Sequence, residues 1–357
     1  MSRPGDPPVT VALVTGGSGY FGMLLAEHLR AGGDEVRVFD LRDASDRHRD
    51  VEFVAGDIRD AAAVRAAVDG VDVVYHNVAQ VPLAKDLDEL RSVNVDGTVR
   101  LLEACADART AKVVHTSSSA VFGVPATNPV LPTTVPKPVE EYGHAKLAAE
   151  WACLAASSRI APHVDVSIVR PRTILGHGRL GIFGILFDWI ADGADPFVLG
   201  DGANRYQFVH ADDLASACVK AGRRPGPAVF NIGTDRFGTM REALEHLCDH
   251  AGTGSTVRSL PIGATSTAMR LSARAGLTPF APYHWLMYSK SLWFDITHAT
   301  EALDWSPRWS TDEMMAQSYD WFVANRSRTN EPGASHHRRS ARSTALDALK
   351  RATKAFS

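Results

Sequence analysis

Short apolar runs alternate with longer amphipathic stretches along the first two thirds of the chain. The first run, "VTVALVTG", is rich in β-branched residues and apolar on both faces, which is typical of a strand buried within a parallel sheet. The stretch "YFGMLLAEHLRAGG" follows a glycine-rich turn, and the glycines at its end predict the end of a helix. The same order recurs, with further strands predicted at "EVRVFDLR", "VEFVAGD", "VDVVYHNVA", "AKVVHTSS" and "DVSIVRP" and helices between most of them.

This alternation predicts an α/β fold with a Rossmann-type doubly wound parallel sheet, because strand–helix–strand repeats close with right-handed crossovers. After about Gly176 the pattern loosens, and glycine, proline and aromatic residues become more frequent. "QFVHADDLASACVKA" still predicts a strand and a helix, and "PAVFNIG" predicts a last strand of the sheet. We therefore expect a Rossmann domain over residues 9–175, completed by about 206–235, and an interleaved, smaller C-terminal substrate-binding domain over residues 176–325.

The amino-acid composition is ordinary for a globular protein, but the charge distribution shows a basic C-terminal tail. Hydrophobic residues make up 45% of the chain and charged residues 22%, and a net charge of −3 gives no indication of nucleic-acid binding. Residues 326–357 carry eight lysines and arginines against two carboxylates. Within them, "STALDALKRATKAF" puts Leu346, Leu349 and Phe356 roughly on one helical stripe. This basic tail is either disordered or makes a weak contact with an anionic membrane or a partner.

The cysteines and the chain ends indicate a reducing location. Cys105, Cys153, Cys218 and Cys248 form no CxxC pair, and their spacing fits no metal site, so we expect buried thiols and no metal. The N-terminus has no apolar signal region, and no apolar run approaches the length of a membrane span. The sequence therefore predicts a cytoplasmic protein.

The stretch "TGGSGYFG" predicts a dinucleotide site. It places Gly16, Gly19 and Gly22 directly after the first strand and at the head of a helix, where the backbone can approach a pyrophosphate and helix N–H groups can bind it. Asp40 ends the second strand, and a carboxylate there accepts hydrogen bonds from the adenosine ribose. Because Asp40 also repels a 2′-phosphate, NAD is favoured over NADP, although Arg42 nearby opposes that preference.

The stretch "EEYGHAKLAAE" carries the candidate chemistry. Tyr142 and Lys146 are four residues apart, which puts them on one face of a helix. A neighbouring ammonium favours the phenolate, so Tyr142 could act as a base toward a substrate hydroxyl. The three serines of "TSSSAVFG" follow a strand, where serine is either a turn residue or a substrate ligand.

Together these motifs resemble the extended short-chain dehydrogenase/reductases of the NAD-dependent epimerase/dehydratase family. The resemblance runs from about Val9 to about Phe322, and it rests on "TGGSGYFG", "DI", "HNVAQ", "NVDGT", "TSSSAVFG", "YGHAK", "RP" and "FVHADDLA" in the family's order. It implies a catalytic Ser118, which lies four residues before Phe122, together with Tyr142 and Lys146. It implies NAD contacts at the glycine-rich loop, at Asp40 and at further positions: Tyr20, Phe21, Asp57, Ile58, Val78, Ala79, Gln80, Asn94, Tyr142, Lys146 and Pro171.

Departures from the family's patterns restrict the reaction. Sugar dehydratases carry Asp-Glu after the catalytic residue, whereas this chain has Ser119-Ala120, so dehydration is not expected. Thr173 stands where nucleotide-sugar enzymes often have asparagine, and Arg205 is shifted by one residue from the family's arginine; both remain candidate substrate contacts. The aromatic segment 264–294 is either core packing, which we favour, or a lid over an apolar substrate.

The resemblance favours NAD-dependent oxidoreduction of a ring hydroxyl on a small-molecule substrate. The leading form is epimerisation of a nucleotide sugar through a transient ketone. One alternative is a 3β-hydroxysteroid or sterol-type dehydrogenase or ketoreductase with net NAD(P)(H) turnover. Another is an NAD-sensing binding protein, although a sensor has no need of Ser118, Tyr142 and Lys146. Family members also imply a homodimer, formed through the helices near Val93–Ala108 and Tyr142–Ala156.

Overall fold

The computed structural model describes residues 10–80, 86–160, 163–178, 180, 182–275 and 288–327. Its centre is a sheet of seven parallel strands, numbered here in chain order with four further strands that lie outside it. The strands are β1 Val11–Thr15, β2 Glu35–Asp40, β3 Glu52–Ala55, β4 Val73–His76, β5 Lys112–Thr116, β6 Asp165–Pro171 and β10 Ala228–Ile232. Their order is β10-β6-β5-β4-β1-β2-β3, so β2 and β3 lie on one side of β1 and β4 begins the series on its other side. The predicted α/β, Rossmann-type fold is confirmed.

Helices connect these strands and continue into the second half of the chain. They are α1 Tyr20–Ala31, α2 Ala61–Val68, α3 Leu87–Arg91, α4 Gly97–Ala108, α5 Glu141–Ala155, α6 Phe183–Ala191, α7 Ala211–Arg223, α8 Met240–Ala251, α9 Ile262–Arg274, α10 Thr297–Leu303 and α11 Thr311–Asn325. Local sequence sets several of their ends. α1 ends at Gly32, and α8 begins with a capping box in which Thr239 and Glu242 satisfy each other's backbone N–H groups.

The sheet is buried on both faces, as its apolar strands predict. Alternate residues of β1 enter different cores: Ala12 and Val14 pack with α1 and α7, whereas Leu13 packs with α2 and α4. A third core, from Leu175 to Phe322, joins α6, α8 and α11 away from the sheet. These separate cores support the expected division into two interleaved domains, whose boundaries stay a prediction.

Two small parallel sheets lie in the second half of the chain. β7 (Thr173–Leu175) pairs with β9 (Phe208–His210), and β8 (Phe197–Leu199) pairs with β11 (Arg258–Leu260). β7 begins two residues after β6 ends, and β9 leads directly into α7, which packs on the main sheet. No helix among the described residues is long and apolar enough to cross a membrane. The basic tail lies, from residue 328 onward, outside the described residues.

The four cysteines are free and buried, each inside an apolar core. Cys105 and Cys153 share the core beneath α2 and α4, Cys218 lies in the opposite layer and Cys248 lies in the third core. Burial raises the pKa of the Cys105 and Cys218 thiols to about 12 and that of Cys248 to about 11. These thiols are therefore protonated at neutral pH and poorly reactive in the folded protein.

A buried ion pair joins three elements at the carboxyl edge of the sheet. Arg170 of β6 donates through Nε to Oε1 of Glu150 on α5 at 2.8 Å and through Nη2 to Oε2 at 2.6 Å. The hydroxyl of Ser117, which follows β5, donates to the same Glu150 Oε1 at 2.6 Å. Arg170 also donates to the carbonyl of Pro132 and lies over the Phe122 ring. The network thus fixes β6, α5 and the serine-rich loop relative to one another.

Replacing one member of this pair should destabilise the protein strongly. We expect Glu150→Gln to lower the free energy of unfolding by about 3–5 kcal/mol, because a buried guanidinium then loses its counter-charge. The double variant Glu150→Gln/Arg170→Met should lower the free energy of unfolding by less than the sum of the losses in the two single variants. Urea unfolding followed by circular dichroism measures the effect.

The exposed pair Arg241–Glu245, with 3.1 Å between Arg241 Nη1 and Glu245 Oε1, is the matched control. Glu245→Gln should cost no more than about 1 kcal/mol. A Glu150→Gln variant as stable as this control would show that the buried pair contributes little.

Candidate active site

The glycine-rich loop forms a cradle between β1 and α1. Gly16 has a left-handed φ of 69°, and a Cβ on Gly22 would lie 2.1 Å from the Gly16 carbonyl oxygen, so both positions require glycine. A Cβ on Gly19 would meet only that same oxygen, at 3.2 Å. No side chain caps α1, and its first turn contains no acidic residue. The loop therefore offers backbone N–H groups and open space to a pyrophosphate.

Tyr20 and Phe21 begin α1 with buried side chains that belong to the core. What they can offer a cofactor is therefore backbone N–H. A Cβ on Gly176 would lie 3.1 Å from the Tyr20 hydroxyl, which shows that this side chain extends to the turn after β7. The resemblance indicated Tyr20 as an NAD contact, but nothing in the sequence indicates that its hydroxyl reaches the turn after β7.

Asp40 lies against the same loop. Its Oδ2 accepts a hydrogen bond from Ser18 N at 3.1 Å, and its Oδ1 accepts one from Leu41 N at 2.7 Å. Partial burial raises the pKa of Asp40, and these backbone donors oppose the rise. Arg42 is exposed. The carboxylate is thus held beside the position expected for the adenosine ribose.

The Asp57 carboxylate is paired with Arg59 within the same turn. Arg59 donates to both carboxylate oxygens, through Nε to Oδ1 at 2.9 Å and through Nη2 to Oδ2 at 2.6 Å, and this lowers the pKa of Asp57. Ile58 is buried, and a Cβ on Gly97 would come within 2.8 Å of its Cγ2. The predicted adenine contact at Asp57 and Ile58 stays a prediction, in which the backbone would supply the hydrogen bonds.

Asn94 holds the loop after β4. Its Oδ1 accepts from Gln80 N at 2.7 Å, and its Nδ2 donates to Gln80 O at 3.1 Å. Asn94 is buried in a π-helical turn, Ser92–Asp96, where the sequence predicted ordinary helix. A Cβ on Gly16 would lie 3.0 Å from Val78 N, so the loop containing Val78, Ala79 and Gln80 adjoins the glycine-rich loop. The Asn94 side chain therefore positions this loop by bonding the Gln80 backbone.

Ser118 lies at the carboxyl end of β5 in extended backbone, with φ −159° and ψ 152°. It caps a short 3₁₀ turn, Ser119–Phe122, and its Oγ accepts from Ala120 N at 3.1 Å. A Cβ on Gly143 would lie 2.6 Å from Ala120 O, so the first turn of α5 touches this 3₁₀ turn. The half-buried Tyr142 precedes Gly143. The structure thereby brings the turns that carry Ser118 and Tyr142 into contact.

Lys146 lies one helical turn further along α5 and is buried. Its Nζ donates to the Thr116 carbonyl at 2.9 Å, at the end of β5. Burial lowers the pKa of Lys146 to about 8, although the Glu150 carboxylate favours the ammonium. His76 lies nearby, and burial lowers its pKa to about 3, so this ring is neutral. At neutral pH Lys146 is therefore a cation with a lowered pKa, and it lies one helical turn after Tyr142 on α5.

The predicted substrate contacts Thr173 and Arg205 and the predicted NAD contact Pro171 lie at and after the end of β6. Thr173 Oγ1 is 3.0 Å from the Tyr206 hydroxyl. Pro171 is buried and pairs with Ile232 in the sheet. The exposed Arg205 places its guanidinium 4.8 Å from the centre of the Phe237 ring and 5.0 Å from that of Trp293. Thr173 and Arg205 as substrate ligands remain predictions.

The C-terminal end of the aromatic segment packs into the core, whereas its N-terminal part, residues 264–272, is exposed or half-buried and includes the exposed Leu271. Leu292 and Phe294 are buried and contact Val121 and Phe122 of the 3₁₀ turn after Ser118. This supports the core-packing interpretation for residues 288–294. Residues 276–287 of the segment lie outside the described residues.

Sequence reasoning missed Arg172 and a histidine cluster. Arg172 follows Pro171 directly, and its Nη1 donates to Ser119 Oγ at 2.9 Å. Within the described residues, ligand atoms of His177, His210 and Asp212 lie within 4.8 Å of one another. The His210 ring is already engaged, since Nε2 lies 2.6 Å from Gln317 Oε1 and Nδ1 accepts from Asp212 N. A metal would have to displace both of these bonds.

Comparison with known proteins identifies the family of the chain. The family model of the NAD dependent epimerase/dehydratase family matches residues 12–233. The uncharacterized protein y4nG of Sinorhizobium fredii is 51% identical over 92% of this chain and 83% of its own length. UDP-glucose 4-epimerase of Mycolicibacterium smegmatis is 30% identical over 87% of this chain and 97% of its own. The human sterol-4-alpha-carboxylate 3-dehydrogenase (decarboxylating) is 31% identical over 62% and 61%, respectively.

Solved structures share the fold over most of the chain. MoeE5 in complex with UDP-glucuronic acid and NAD superposes with a TM-score of 0.70 at 26% identity, covering 88% of this chain and 99% of MoeE5. UDP-glucose 4-epimerase of Thermotoga maritima with UDP-glucose superposes with a TM-score of 0.73 at 23% identity, covering the same shares. The predicted cofactor, NAD, is confirmed by these neighbours and by the family.

The placement of Asp40 predicts a measurable cofactor preference. We expect NAD to bind more tightly than NADP, and Asp40→Ala to weaken NAD by about 10-fold and narrow the difference, because a charge-assisted hydrogen bond is lost along with the repulsion of the 2′-phosphate. Calorimetric titration of both cofactors measures it. Asp43→Ala, which removes a carboxylate paired with Arg47, is the control and should change neither affinity. Equal affinities in the unmutated protein would show that Arg42 overrides Asp40.

Proposed function

The chain belongs to the NAD dependent epimerase/dehydratase family and is an NAD-dependent enzyme, and from that premise we propose that it oxidises a ring hydroxyl of its substrate, in the leading case to epimerise a nucleotide sugar through a transient ketone. The observation that carries the proposal is the contact of the α5 first turn with the Ser118 turn through Gly143. This contact between the two turns supports a site in which the Ser118 hydroxyl and the Tyr142 phenol act on one substrate, at the edge of the sheet where the glycine-rich loop lies.

Each residue of this set has a distinct role in the proposal. Ser118 donates a hydrogen bond to the substrate oxygen and orients it toward Tyr142. Tyr142 removes the hydroxyl proton as the carbon loses its hydride, because a nearby ammonium on Lys146 favours the phenolate. NAD, when bound by the glycine-rich loop and Asp40, supplies the hydride acceptor. Lys146, held by the Thr116 carbonyl, keeps its charge beneath the phenol.

Epimerisation is the leading case because MoeE5, a solved structure that shares the fold over most of the chain at 26% identity, holds UDP-glucuronic acid. The extent of the sequence similarity does not separate the two reactions, because the epimerase of M. smegmatis aligns over 97% of its length and a 3β-hydroxysteroid dehydrogenase/Δ5→4-isomerase over 94% of its own. Ser119-Ala120 supplies no acid for removing water, which disfavours dehydration. Dehydrogenation of a sterol-like alcohol remains the second candidate, because a 3β-hydroxysteroid dehydrogenase/Δ5→4-isomerase of Mycobacterium tuberculosis is 29% identical over 91% of this chain.

A homodimer is part of the proposal. α4 and α5 present apolar side chains to solvent, including Val99, Trp151 and Leu154. Exposed apolar groups on two adjacent helices are typical of a subunit interface. The two helices pack on the sheet beside Ser118 and Lys146, so a partner copy would stabilise the elements that carry the site.

Removing the Tyr142 hydroxyl should abolish most activity and leave the fold intact. Tyr142→Phe should lower the rate by about 10²–10⁴-fold, because general-base catalysis is lost, while NAD affinity and thermal stability stay near those of the unmutated protein. Tyr319→Phe, on α11 in the third core, removes a phenolic hydroxyl away from the proposed site and should leave the rate unchanged. Near-normal turnover by purified Tyr142→Phe would contradict the assignment.

Given its substrate, the protein should show no lasting accumulation of NADH, because an epimerase returns the hydride to the same carbon. The measurement incubates the enzyme and excess NAD with UDP- and TDP-sugars and with 3β-hydroxysteroids, follows NADH absorbance and resolves the products by chromatography. Inverted sugar without NADH supports the leading proposal. Stoichiometric NADH from a steroid, with inert sugars, would establish the dehydrogenase alternative.

A further inference from the structure

Arg172 carries a buried charge with incomplete pairing. It lies between β6 and β7, its residue is 1% exposed, and its guanidinium lies 4.7 Å from the centre of the Tyr206 ring and 5.6 Å from that of Phe294. Nη1 donates to Ser119 Oγ, but Nε and Nη2 have no hydrogen-bond partner among the described residues and are shielded from solvent. No carboxylate in the described part of the chain forms an ion pair with it.

Arg170 provides the comparison, two residues earlier on the same strand. It is buried to a similar extent, and its Nε and Nη2 make the bidentate pair with Glu150. In Arg172 the same edge, Nε and Nη2, is the one without a partner. That edge presents two parallel N–H groups spaced to match the two oxygens of a carboxylate. A buried charge without a counter-charge is strongly unfavourable, so its presence points to a ligand that completes it.

The location associates that ligand with the reacting end of the substrate. Ser119, which accepts from Arg172, directly follows Ser118. Tyr206, which lies against the guanidinium, is bonded to Thr173. Arg172 N also donates to Ile232 O at 2.9 Å, which fixes the backbone at the carboxyl end of the sheet. Arg172 is therefore bonded to the residue that follows Ser118 and lies against the hydroxyl partner of Thr173.

We propose that Arg172 binds a carboxylate that the substrate carries close to the hydroxyl oxidised at Ser118 and Tyr142. The inference rests on the proposed function and deepens it, because it defines the substrate class as a hydroxy acid. The ring that bears the acid can be a sugar or a sterol, since both present the same carboxylate to the same edge. Because Arg172 is buried, the side chains that cover this edge of its guanidinium must move before a carboxylate can reach it.

The first test needs no substrate. Removing an unpaired buried charge should not destabilise the protein, so the ligand-free Arg172→Met variant should melt at or above the temperature of the unmutated protein. Arg224→Met is the matched control: its guanidinium lies 5.8 Å from the centre of the Phe230 ring, before β10 and thus at the opposite edge of the sheet. A loss of several degrees in Arg172→Met beyond that in Arg224→Met would overturn the inference, because Arg172 would then be structural.

The second test measures binding to the NADH-loaded protein by calorimetry. The sugar pair is UDP-glucuronic acid and UDP-glucose, and the sterol pair is a 3β-hydroxysteroid 4-carboxylic acid and its 4-methyl counterpart. On one scaffold, the unmutated protein and Arg224→Met should prefer the acid by about 10- to 100-fold. Arg172→Met should lose that preference, and Arg172→Lys, which keeps the charge without the fork, should recover only part of it. The scaffold that shows the preference identifies the source of the acid.

The outcomes separate this inference from the proposed function. An acid preference that depends on Arg172, without turnover of any acid, supports the inference and contradicts the proposed reaction. Turnover of neutral substrates with no acid preference overturns the inference and leaves the reaction standing. The absence of an acid preference on both scaffolds, or a preference that survives in Arg172→Met, also overturns it.

Discussion

The geometry of the candidate site depends on one buried ion pair, between Arg170 and Glu150. In the interior the low dielectric makes this pair strong only while its geometry is complete, and Ser117 and the Pro132 carbonyl complete it. The pair connects β6, α5 and the loop after β5. Four of the side chains proposed to act on the substrate lie near it in sequence: Ser118 follows Ser117, Lys146 and Tyr142 are one and two helical turns before Glu150, and Arg172 lies two residues after Arg170. One interaction thus fixes three chain segments that come from distant parts of the sequence.

The three serines of the loop after β5 show how finely this arrangement separates structural and chemical roles. The Ser117 hydroxyl is used by the ion pair and the Ser119 hydroxyl by Arg172, while the Ser118 hydroxyl, among the described residues, accepts only a local backbone N–H. Extended backbone at Ser118 points successive side chains to opposite sides. Ser118 is therefore the serine whose hydroxyl remains adaptable, which agrees with the role that the resemblance implies.

Much of the fold followed from local sequence, because β1 to β6 are apolar runs bounded by glycine-rich or polar turns. The strands β7, β8 and β11 were not predicted, since three-residue strands are held by partners far along the chain rather than by their own pattern. The candidate site shows the same contrast between features set by local sequence and features set by distant contacts. Spacing indicated Tyr142 and Lys146, but nothing local distinguishes the paired Arg170 from the unpaired Arg172. Nor does the sequence show that Arg59 turns back onto Asp57, or that Asn94 holds Gln80 by its backbone.

The positions of the four cysteines make thiol labelling a report on the order in which parts of the structure unfold. The cores on the two faces of the sheet and the third core each contain at least one thiol, and none of these thiols can meet a reagent until its own core opens. The order in which Cys248, Cys218 and the pair Cys105 and Cys153 become alkylated under native conditions would therefore give the order in which the layers separate. Since Cys248 alone lies in the core away from the sheet, its labelling distinguishes opening of that core from unfolding of the parallel sheet.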